Sequence, residues 1–137
     1  MGYLSEEQYN SMVDHVLIQM PVRDGDSVFE LGCGTGAALH RIRHLFGTNI
    51  TLGGSDLSEQ AIKKVGKVFL TDAENFIILP MTQKNDFLSD SSQDHVVSFG
   101  AFAMYLYEQE IEVALQEAIR ITKPGRHMCF TTFTERS

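Results

Sequence analysis

The sequence predicts an α/β protein, a doubly wound parallel sheet with helices on both of its faces. Short apolar runs of strand length alternate along the chain with longer segments whose apolar residues recur at helical spacing. This alternation is typical of βα units in a parallel sheet. No repeat or linker divides the 137 residues, so a single domain over residues 1–137 is expected.

The first 21 residues are predicted to form an N-terminal amphipathic helix. Ser5 and Gln8 have the spacing of a capping box, in which each side chain binds the backbone N–H of the other residue. Pro21 is expected to end this helix. The residues on its apolar face are Tyr9, Met12, Val13, Val16, Leu17 and Met20.

Five strands are predicted from short apolar runs bounded by turn residues. They cover residues 27–31, 50–54, 76–79, 95–99 and 128–133. The polar stretch between the third and fourth strands, residues 81–93, is predicted to be a loop. Asp90 and Asp94 are interpreted as turn residues.

Three further helices are predicted between the strands, each from its apolar face. The first ends at Gly47 and has Ala38, Leu39, Ile42, Leu45 and Phe46 inward. The second follows an N-cap at Ser58 and is marked by Ala61, Ile62, Val65, Val68 and Phe69. The third is broken by Lys123-Pro124-Gly125 and is marked by Ile111, Ala114, Leu115, Ala118 and Ile119.

The charge balance argues against some classes of partner. Eleven Lys and Arg stand against 18 Asp and Glu, a net charge of -7. Because nucleic acids and anionic membranes are bound through basic residues, neither is an expected partner. Cys33 and Cys129 do not have the spacing of metal ligands, so no metal site is predicted. No leader or membrane-spanning segment is visible in the sequence, so a cytoplasmic location is predicted.

A glycine-rich loop lies between the first strand and the following helix. The run Gly32-Cys33-Gly34-Thr35-Gly36-Ala37 lets the backbone turn tightly and approach a ligand closely. The helix start behind it offers free N–H groups. The same run fits the pattern of dinucleotide-binding proteins, so the ligand could be a dinucleotide or another nucleotide. Asp56, at the end of the second strand, could bind the ribose hydroxyls in either case.

Glu30 indicates whether the ligand is a dinucleotide, which has a pyrophosphate, or a nucleotide with a cationic group. It ends the first strand just before the glycine loop. A carboxylate at this position repels a pyrophosphate but attracts an ammonium or a sulfonium, and S-adenosylmethionine carries both cations. A solvated strand end is the alternative interpretation of Glu30.

Four stretches together resemble class I S-adenosylmethionine-dependent methyltransferases. They are "VFELGCGTG", "GGSDLSEQAI", "NDFLSDSSQDHVVSFGAF" and "LQEAIRITKPG", and they run in the family's order from residue 28 to residue 125. The resemblance implies a Rossmann-like fold with strand order 3-2-1-4-5 and S-adenosylmethionine as cofactor. The family usually continues beyond the fifth strand, so this chain is expected to be truncated there. An open fifth-strand edge, with Met128, Phe130 and Phe133, is expected to pair with another copy or a partner chain.

The resemblance also assigns a cofactor role to individual residues. Glu30 would contact the methionine end, and Gly32, Cys33, Gly34 and Gly36 would form the floor. Asp56 would bind the ribose hydroxyls and Leu57 would pack on the adenine. Asp86 would accept a hydrogen bond from the adenine amine, with the Phe87 amide on the ring. Phe99, Gly100, Ala101 and Phe102 would line the methyl group.

Methyl transfer from a sulfonium needs orientation and exclusion of water, and it needs no protein nucleophile. No convincing acid–base constellation is visible, so no catalytic residue is assigned. His95 and His127 are expected at the wrong end of the sheet, whereas Tyr3, Tyr9, Tyr105 and Tyr107 either reach the substrate or pack at the rim. The sequence lacks the Asn/Asp-Pro-Pro-Tyr/Phe motif of amino-methylating nucleic-acid enzymes, which favours a small-molecule acceptor.

Three functions remain open. The first is a methyltransferase acting on a small molecule. The second is a cofactor-binding module that is inactive alone, either a truncated form or a regulatory subunit. The third is a nicotinamide-dependent oxidoreductase, which Glu30 and Lys123-Pro124-Gly125 disfavour.

Overall fold

A computed structural model describes residues 4–99 and 107–131. The described residues contain five strands, named β1 to β5 in chain order. They are Ser27–Leu31, Thr51–Asp56, Phe76–Ile78, Gln93–Phe99 and Thr122–Thr131. All neighbouring strands pair in parallel, in the order β3-β2-β1-β4-β5. The predicted fold class and strand order are therefore confirmed.

Four α-helices, named α1 to α4, accompany these strands. They are Glu6–Leu17, Ala37–Phe46, Glu59–Val68 and Glu108–Ile121. A 3-10 helix over Leu70–Asn75, which the sequence pattern did not predict, connects α3 to β3. The predicted helix ends are present: the Ser5 and Gln8 side chains bind each other's backbone N–H, and the Ser58 hydroxyl accepts from the Ala61 N–H. Gly47 caps the end of α2, and its N–H donates to the Arg43 carbonyl.

The sheet separates two hydrophobic cores. Residues of α1, α2 and α3, including Leu17, Ile42 and Val65, pack on one face against Val28. On the other face, Ala114, Ala118 and Ile121 of α4 pack against Phe29, Leu31 and Val96. Because alternate residues of a strand point to opposite faces, Glu30 shares the face of Val28 and lies on the side of α1.

The N-terminal helix is shorter than predicted. It ends at Leu17, and residues 18–20 form a turn in which the N–H groups of Gln19 and Met20 donate to residues three positions earlier. Ile18 is 67% exposed, so no core contact prolongs the helix. Pro21 then disfavours a helical conformation at Met20.

Four strands differ from their predicted bounds, three of them by one or two residues at an end. β2 begins one residue later and extends to Asp56, and β3 ends one residue earlier. β4 begins at Gln93, so the interpretation of Asp94 as a turn residue was wrong. Its buried carboxylate accepts hydrogen bonds from the Ser27 N–H and hydroxyl, at 2.8 and 3.2 Å, which ties β4 to β1.

β5 begins immediately after α4, six residues earlier than predicted. The run Lys123-Pro124-Gly125 ends the helix as expected, but it lies inside the strand. Gln93 pairs with Thr122, whereas His95 pairs with His127, so β5 bulges between these two pairs. Gly125 supplies the positive φ, 77°, that this bulge requires.

Two apolar side chains assigned to helix faces are exposed. Val68 is the last residue of α3, where the chain turns into the 3-10 helix, and Phe69 fills the core instead. Ile119 lies beside the stripe that Ala114, Ala118 and Ile121 form at helical spacing, and it is 58% exposed. Ile121 takes its place in the core.

Candidate cofactor site

The glycine loop connects the carboxyl end of β1 to the start of α2. Gly32, Gly34 and Gly36 all have positive φ angles, 70°, 54° and 92°. A Cβ at Gly36 would lie 2.9 Å from Val65 Cγ2 of α3, so this glycine allows close packing of the loop. A Cβ at Gly34 would meet no atom within 4 Å, which leaves open space above the loop.

Cys33 anchors the loop to the neighbouring strand. Its backbone N–H donates to the Ser55 carbonyl at 2.9 Å. Its side chain packs on Gly54, where an added Cβ would come within 2.8 Å of Cys33 Cβ. Burial raises the pKa of the Cys33 thiol, and the charges of Glu30 and Asp56 add to this effect. Cys33 therefore lies beneath the loop as a buried, protonated thiol.

Asp56 links the glycine loop to the start of α3. Its Oδ2 accepts from the Gly34 N–H, and its Oδ1 accepts from the Ser58 N–H, each at 2.9 Å. Each carboxylate oxygen keeps one lone pair for another donor. The next residue, Leu57, is 70% exposed and presents an apolar surface beside this carboxylate.

Glu30 is a buried carboxylate with an unsatisfied oxygen. It is 2% exposed, and its Oε1 has no hydrogen-bond partner among the described residues. Burial raises the pKa of this carboxyl well above its usual value and the charge of Asp56 raises it further, while the Phe99 backbone N–H opposes them. Burial and the charge of Glu30 also raise the pKa of the Tyr9 hydroxyl, and Tyr9 of α1 packs against the core on this face of the sheet.

A cavity of about 630 Å³ opens above the loop, at the carboxyl edge of the sheet. It brings together four residues that the sequence predicted, Gly32, Gly34, Asp56 and Leu57. The sequence reasoning missed its remaining walls, although Pro80 marked the end of a strand at this edge. These additional lining residues are Ser58, Ala61, Leu79, Pro80, Met81, Thr82 and Glu110.

Asp86 and Phe87 lie on the same β3–β4 connection that supplies the cavity wall at residues 79–82. They form the tip of a turn, and Phe87 is 80% exposed. Neither lines the cavity. The Phe87 N–H donates to the side-chain oxygen of Asn85 at 2.9 Å. Asn85 is buried and was not singled out from the sequence, and its side-chain nitrogen has no partner among the described residues.

Glu117 and Arg120 of α4 hold this turn from below. Burial alone would raise the pKa of the Glu117 carboxyl, but hydrogen bonds from Arg120 and the Asn85 N–H outweigh it and lower the pKa. The same contact with Glu117 raises the pKa of the Arg120 guanidinium. Both groups are therefore charged at neutral pH, and they form a partly buried ion pair beneath the loop.

Phe99 is buried at the carboxyl end of β4, in the core on the side of α1. The other residues predicted beside the methyl group, Gly100, Ala101 and Phe102, lie outside the described residues, as do Tyr3, Tyr105 and Phe133. Tyr107 is 79% exposed just before α4.

His95 and His127 lie at the amino ends of β4 and of the regular part of β5, far from the glycine loop along β1. Their rings stack with centroids 5.7 Å apart, and His95 Nε2 lies 2.8 Å from Asp26 Oδ2. Asp26 immediately precedes β1, whereas the glycine loop follows it. These histidines therefore belong to a polar cluster at the edge of the sheet opposite the cavity.

The topology and the glycine loop together define a Rossmann-like class I methyltransferase fold. The sequence matches the methyltransferase-domain family over residues 28–125, and the chain belongs to this family. An uncharacterized protein of Methanocaldococcus jannaschii, MJ1252, is 32% identical over 130 residues. That alignment covers 93% of this chain and 45% of the relative.

Two solved structures illustrate the similarity of the fold. A Haloferax volcanii methyltransferase, solved in complex with the Trm112 methyltransferase activator, is 31% identical with a TM-score of 0.71, over 90% of this chain and 53% of that one. An Aquifex aeolicus SAM-dependent methyltransferase is 18% identical with a TM-score of 0.68, over 98% and 77%. The chain thus spans about half the length of the first two relatives.

Among residues 4–99 and 107–131, no helix has the length and apolar character needed to cross a membrane.

Proposed function

We propose that this chain binds S-adenosylmethionine in the cavity above the glycine loop and directs its methyl group to a small-molecule acceptor. The observation that carries the proposal is the buried Glu30 carboxylate, whose Oε1 has no hydrogen-bond partner in the part of the chain that the structure describes and which precedes a loop of three positive-φ glycines. An uncompensated buried carboxylate is costly, and a cationic ligand would compensate it. Family membership supports the same cofactor.

The methionine end would be held by Glu30 and the glycine loop. The carboxylate is suited to the ammonium group, directly or through water. The space above Gly34, which a Cβ would enter, leaves room for the ligand against the backbone. Gly32, Cys33 and Gly36 shape the floor of this space, and the start of α2 behind them carries a positive dipole end.

The nucleoside end would be held by Asp56 and the β3–β4 connection. Both oxygens of Asp56 already orient backbone N–H groups, and their remaining lone pairs suit the two ribose hydroxyls. Leu57 would pack on the adenine and lose its exposure to water. Asp86 would accept from the adenine amine and the Phe87 amide would contact the ring only if the turn moved towards the cavity, because the Phe87 N–H donates to the Asn85 side chain and neither residue lines the cavity.

The bound cofactor supplies an electrophilic methyl group on a sulfonium, and the protein has to orient it and exclude water. Glu30 fixes the methionine end and Asp56 fixes the ribose, so the sulfonium between them has a defined direction. Phe99 contributes apolar surface near the end of β4. Such an in-line displacement needs no protein nucleophile, which agrees with the lack of an assigned catalytic residue.

The acceptor is proposed to be a small molecule. A net charge of -7 makes a nucleic acid or an anionic membrane an unfavourable partner. Tyr9, whose hydroxyl pKa the charge of Glu30 helps to raise, offers a polar group on the side of α1. We place the protein in the cytoplasm because Cys33 and Cys129 are free thiols.

The cofactor assignment is tested by calorimetric titration with S-adenosylmethionine, S-adenosylhomocysteine and NAD. We expect micromolar binding of the first two ligands and none of NAD. Asp56→Ala should weaken binding by about 1–3 kcal/mol, the value of hydrogen bonds to a charged group. Asp24→Ala, in an exposed turn before β1, is the matched control. A folded wild-type protein that binds neither sulfur ligand would refute the proposal.

A second candidate function is a methyltransferase module that requires a partner chain. β5 is the end strand of the sheet formed by the described residues, and an end strand is the position at which a further chain can add to a sheet. The Haloferax volcanii structure contains a methyltransferase bound to an activator protein. Turnover should be measured against amines, acids and phenols, with the mass in solution determined in parallel. Cofactor binding without turnover of any acceptor would favour this candidate.

A further inference from the structure

A second pocket, of about 670 Å³, lies beside the glycine loop and is lined by residues of α1, α2 and α3. We call it the α1–α3 pocket. Thr35 of the loop and Ala37, the first residue of α2, belong to its wall. The cavity proposed for the cofactor is lined by Gly32 and Gly34 of the same loop. The two linings therefore meet between Gly34 and Thr35, which are neighbours in the chain.

The α1–α3 pocket has apolar walls. Leu4 and Val68 line it, and both are exposed in the absence of a ligand. The sequence pattern placed Val68 in the core, but the side chain faces this pocket instead. Tyr9 of α1 also lines the pocket and packs on the core cluster that contains Cys33 and Phe99. A ligand with an apolar body would remove this surface from water, which is favourable.

Lys64 adds a positive charge to the same wall. Lys64 and Val68 lie one turn apart on α3, so they share a face of the helix, and both line the pocket. The Lys64 side chain makes no hydrogen bond or ion pair with any residue of 4–99 and 107–131. Its neighbour Lys63, by contrast, pairs with Glu59 at 3.2 Å. Lys64 is therefore available to a ligand.

The other polar groups of the pocket suit a single negative charge. Arg41 donates to both carboxylate oxygens of Asp14, at 2.8 and 2.7 Å, so its charge is already matched. The His40 ring packs on Phe69 with centroids 5.0 Å apart, which holds a ring that can bond to a carboxylate in the wall. Glu6, the acidic residue of the lining, would repel a phosphate dianion more strongly than a carboxylate.

We infer that the α1–α3 pocket holds the methyl acceptor, a small molecule with an apolar body and one carboxylate group. This inference rests on the proposed function and names its substrate class. The apolar body would lie between Leu4 and Val68, and Lys64 would bind the carboxylate. Apolar walls with a few polar groups that fix orientation are typical of small-molecule sites.

The test is a calorimetric titration of the protein saturated with S-adenosylhomocysteine. The probes are 4-phenylbutyrate and its uncharged amide, and the carboxylate preference is the affinity for the acid divided by the affinity for the amide. At low ionic strength we expect a preference of about threefold to fivefold, the range for an ion pair with an exposed lysine. Added salt should reduce it, because the pair is screened.

Lys64→Gln should lower the carboxylate preference to about one, since the charge that binds the acid is lost. Lys63→Gln is the matched control. It makes the same change one position away, on a side chain that is 69% exposed and lies outside the pocket lining. A general effect of the charge of α3 would lower the preference equally in both variants.

Val68→Ser tests the apolar wall separately. It should weaken binding of the acid and of the amide alike, by about threefold, roughly the value of one buried methylene. The carboxylate preference should stay at the wild-type value. Leu70→Ser is the control, because Leu70 is 75% exposed and lies outside the pocket lining. It should change neither affinity.

Turnover distinguishes the acceptor site from an unrelated acid site. For acceptors that carry a carboxylate, Lys64→Gln should raise KM by about threefold to fivefold and leave kcat unchanged. An unchanged KM with weaker binding of 4-phenylbutyrate would overturn the inference. Turnover confined to acceptors without a carboxylate would also overturn it.

The binding experiment also separates this inference from the proposed function. A wild-type carboxylate preference of one, or an equal preference in Lys64→Gln and Lys63→Gln, would overturn the inference. If S-adenosylhomocysteine still bound in that case, the proposed function would stand. A folded wild-type protein that binds no S-adenosylhomocysteine would refute the proposed function and the acceptor site together.

Discussion

Glu30→Gln is expected to stabilise the protein without ligand and to weaken its binding of S-adenosylmethionine. The wild-type carboxylate is buried, and its Oε1 has no hydrogen-bond partner within residues 4–99 and 107–131. An unsatisfied buried polar group costs about 1–3 kcal/mol, more when it is charged. The neutral amide has the same size and remains a buried polar group, but it removes the charge, which is the larger part of this cost. We therefore expect the free energy of unfolding to rise by about 1–3 kcal/mol at pH 8, or roughly 3–5 °C in Tm for each kcal/mol.

The effect depends on pH, and its sign follows from the raised pKa of the Glu30 carboxyl. Below its unfolded pKa of about 4.5, both the folded and the unfolded protein hold the proton, and no charge is buried. As the pH rises towards and through the folded pKa, the unfolded state ionises first, so wild-type stability falls. The stability difference between Glu30→Gln and wild type should thus be small at pH 4.5 and should grow at higher pH.

Urea unfolding at several pH values between 4.5 and 8.5 measures this difference directly. Glu74→Gln makes the same chemical change on an exposed surface and should change neither stability nor its pH dependence. Calorimetry should show roughly 10-fold to 100-fold weaker binding in Glu30→Gln, since a charge-assisted hydrogen bond to the ligand is lost. If Glu30→Gln were less stable than wild type throughout this pH range, the assignment of Glu30 as an uncompensated charge would be refuted.

Three further substitutions test other parts of the structure. Asp94→Asn should lower the free energy of unfolding by about 2 kcal/mol at pH 7, because folding lowers the pKa of the Asp94 carboxyl from 3.8 to about 2. Acid titration of both proteins should show this difference in stability vanishing as the pH falls through 2. Gly36→Ala should destabilise the protein by about 1–3 kcal/mol in urea, because φ is 92° and Val65 Cγ2 lies 2.9 Å from the new Cβ; equal stability would contradict the packing at this loop. Gly34→Val should abolish cofactor binding in a protein that still folds by circular dichroism, since its side chain enters the open space above the loop, and normal binding would disprove that location of the site.

Local patterns accounted for much of the fold. β1 has the predicted bounds, and the glycine loop, α2 and the cap at Ser58 follow in the predicted order, because each depends on neighbours within a few positions. Strand order followed from the family resemblance. The predicted position of Asp56 beside the loop is supported by its hydrogen bond to Gly34.

The features that the sequence did not reveal depend on distant partners. Asp94 resembles a turn residue until Ser27, 67 positions away, supplies its hydrogen bonds. Glu117 and Arg120 resemble ordinary surface charges of a helix, since nothing near them predicts the carbonyls of Asn85 and Leu88, 35 and 32 positions from Arg120. Such contacts arise from how helices and loops meet across a sheet, which helical or strand periodicity does not record.

Because Cys33 packs on Gly54, the reactivity of its thiol depends on the motion of the glycine loop. The thiol is 5% exposed, so an alkylating reagent reaches it only when the loop separates from β2. The rate of alkylation at Cys33 therefore measures how often the closed loop opens. A ligand that bridges Glu30 and Asp56 would hold the loop shut and slow this reaction, whereas Cys129, half-buried on β5, would react at an unchanged rate. Ligand binding would thus be readable from the modification of one native side chain, with no label and no knowledge of the methyl acceptor.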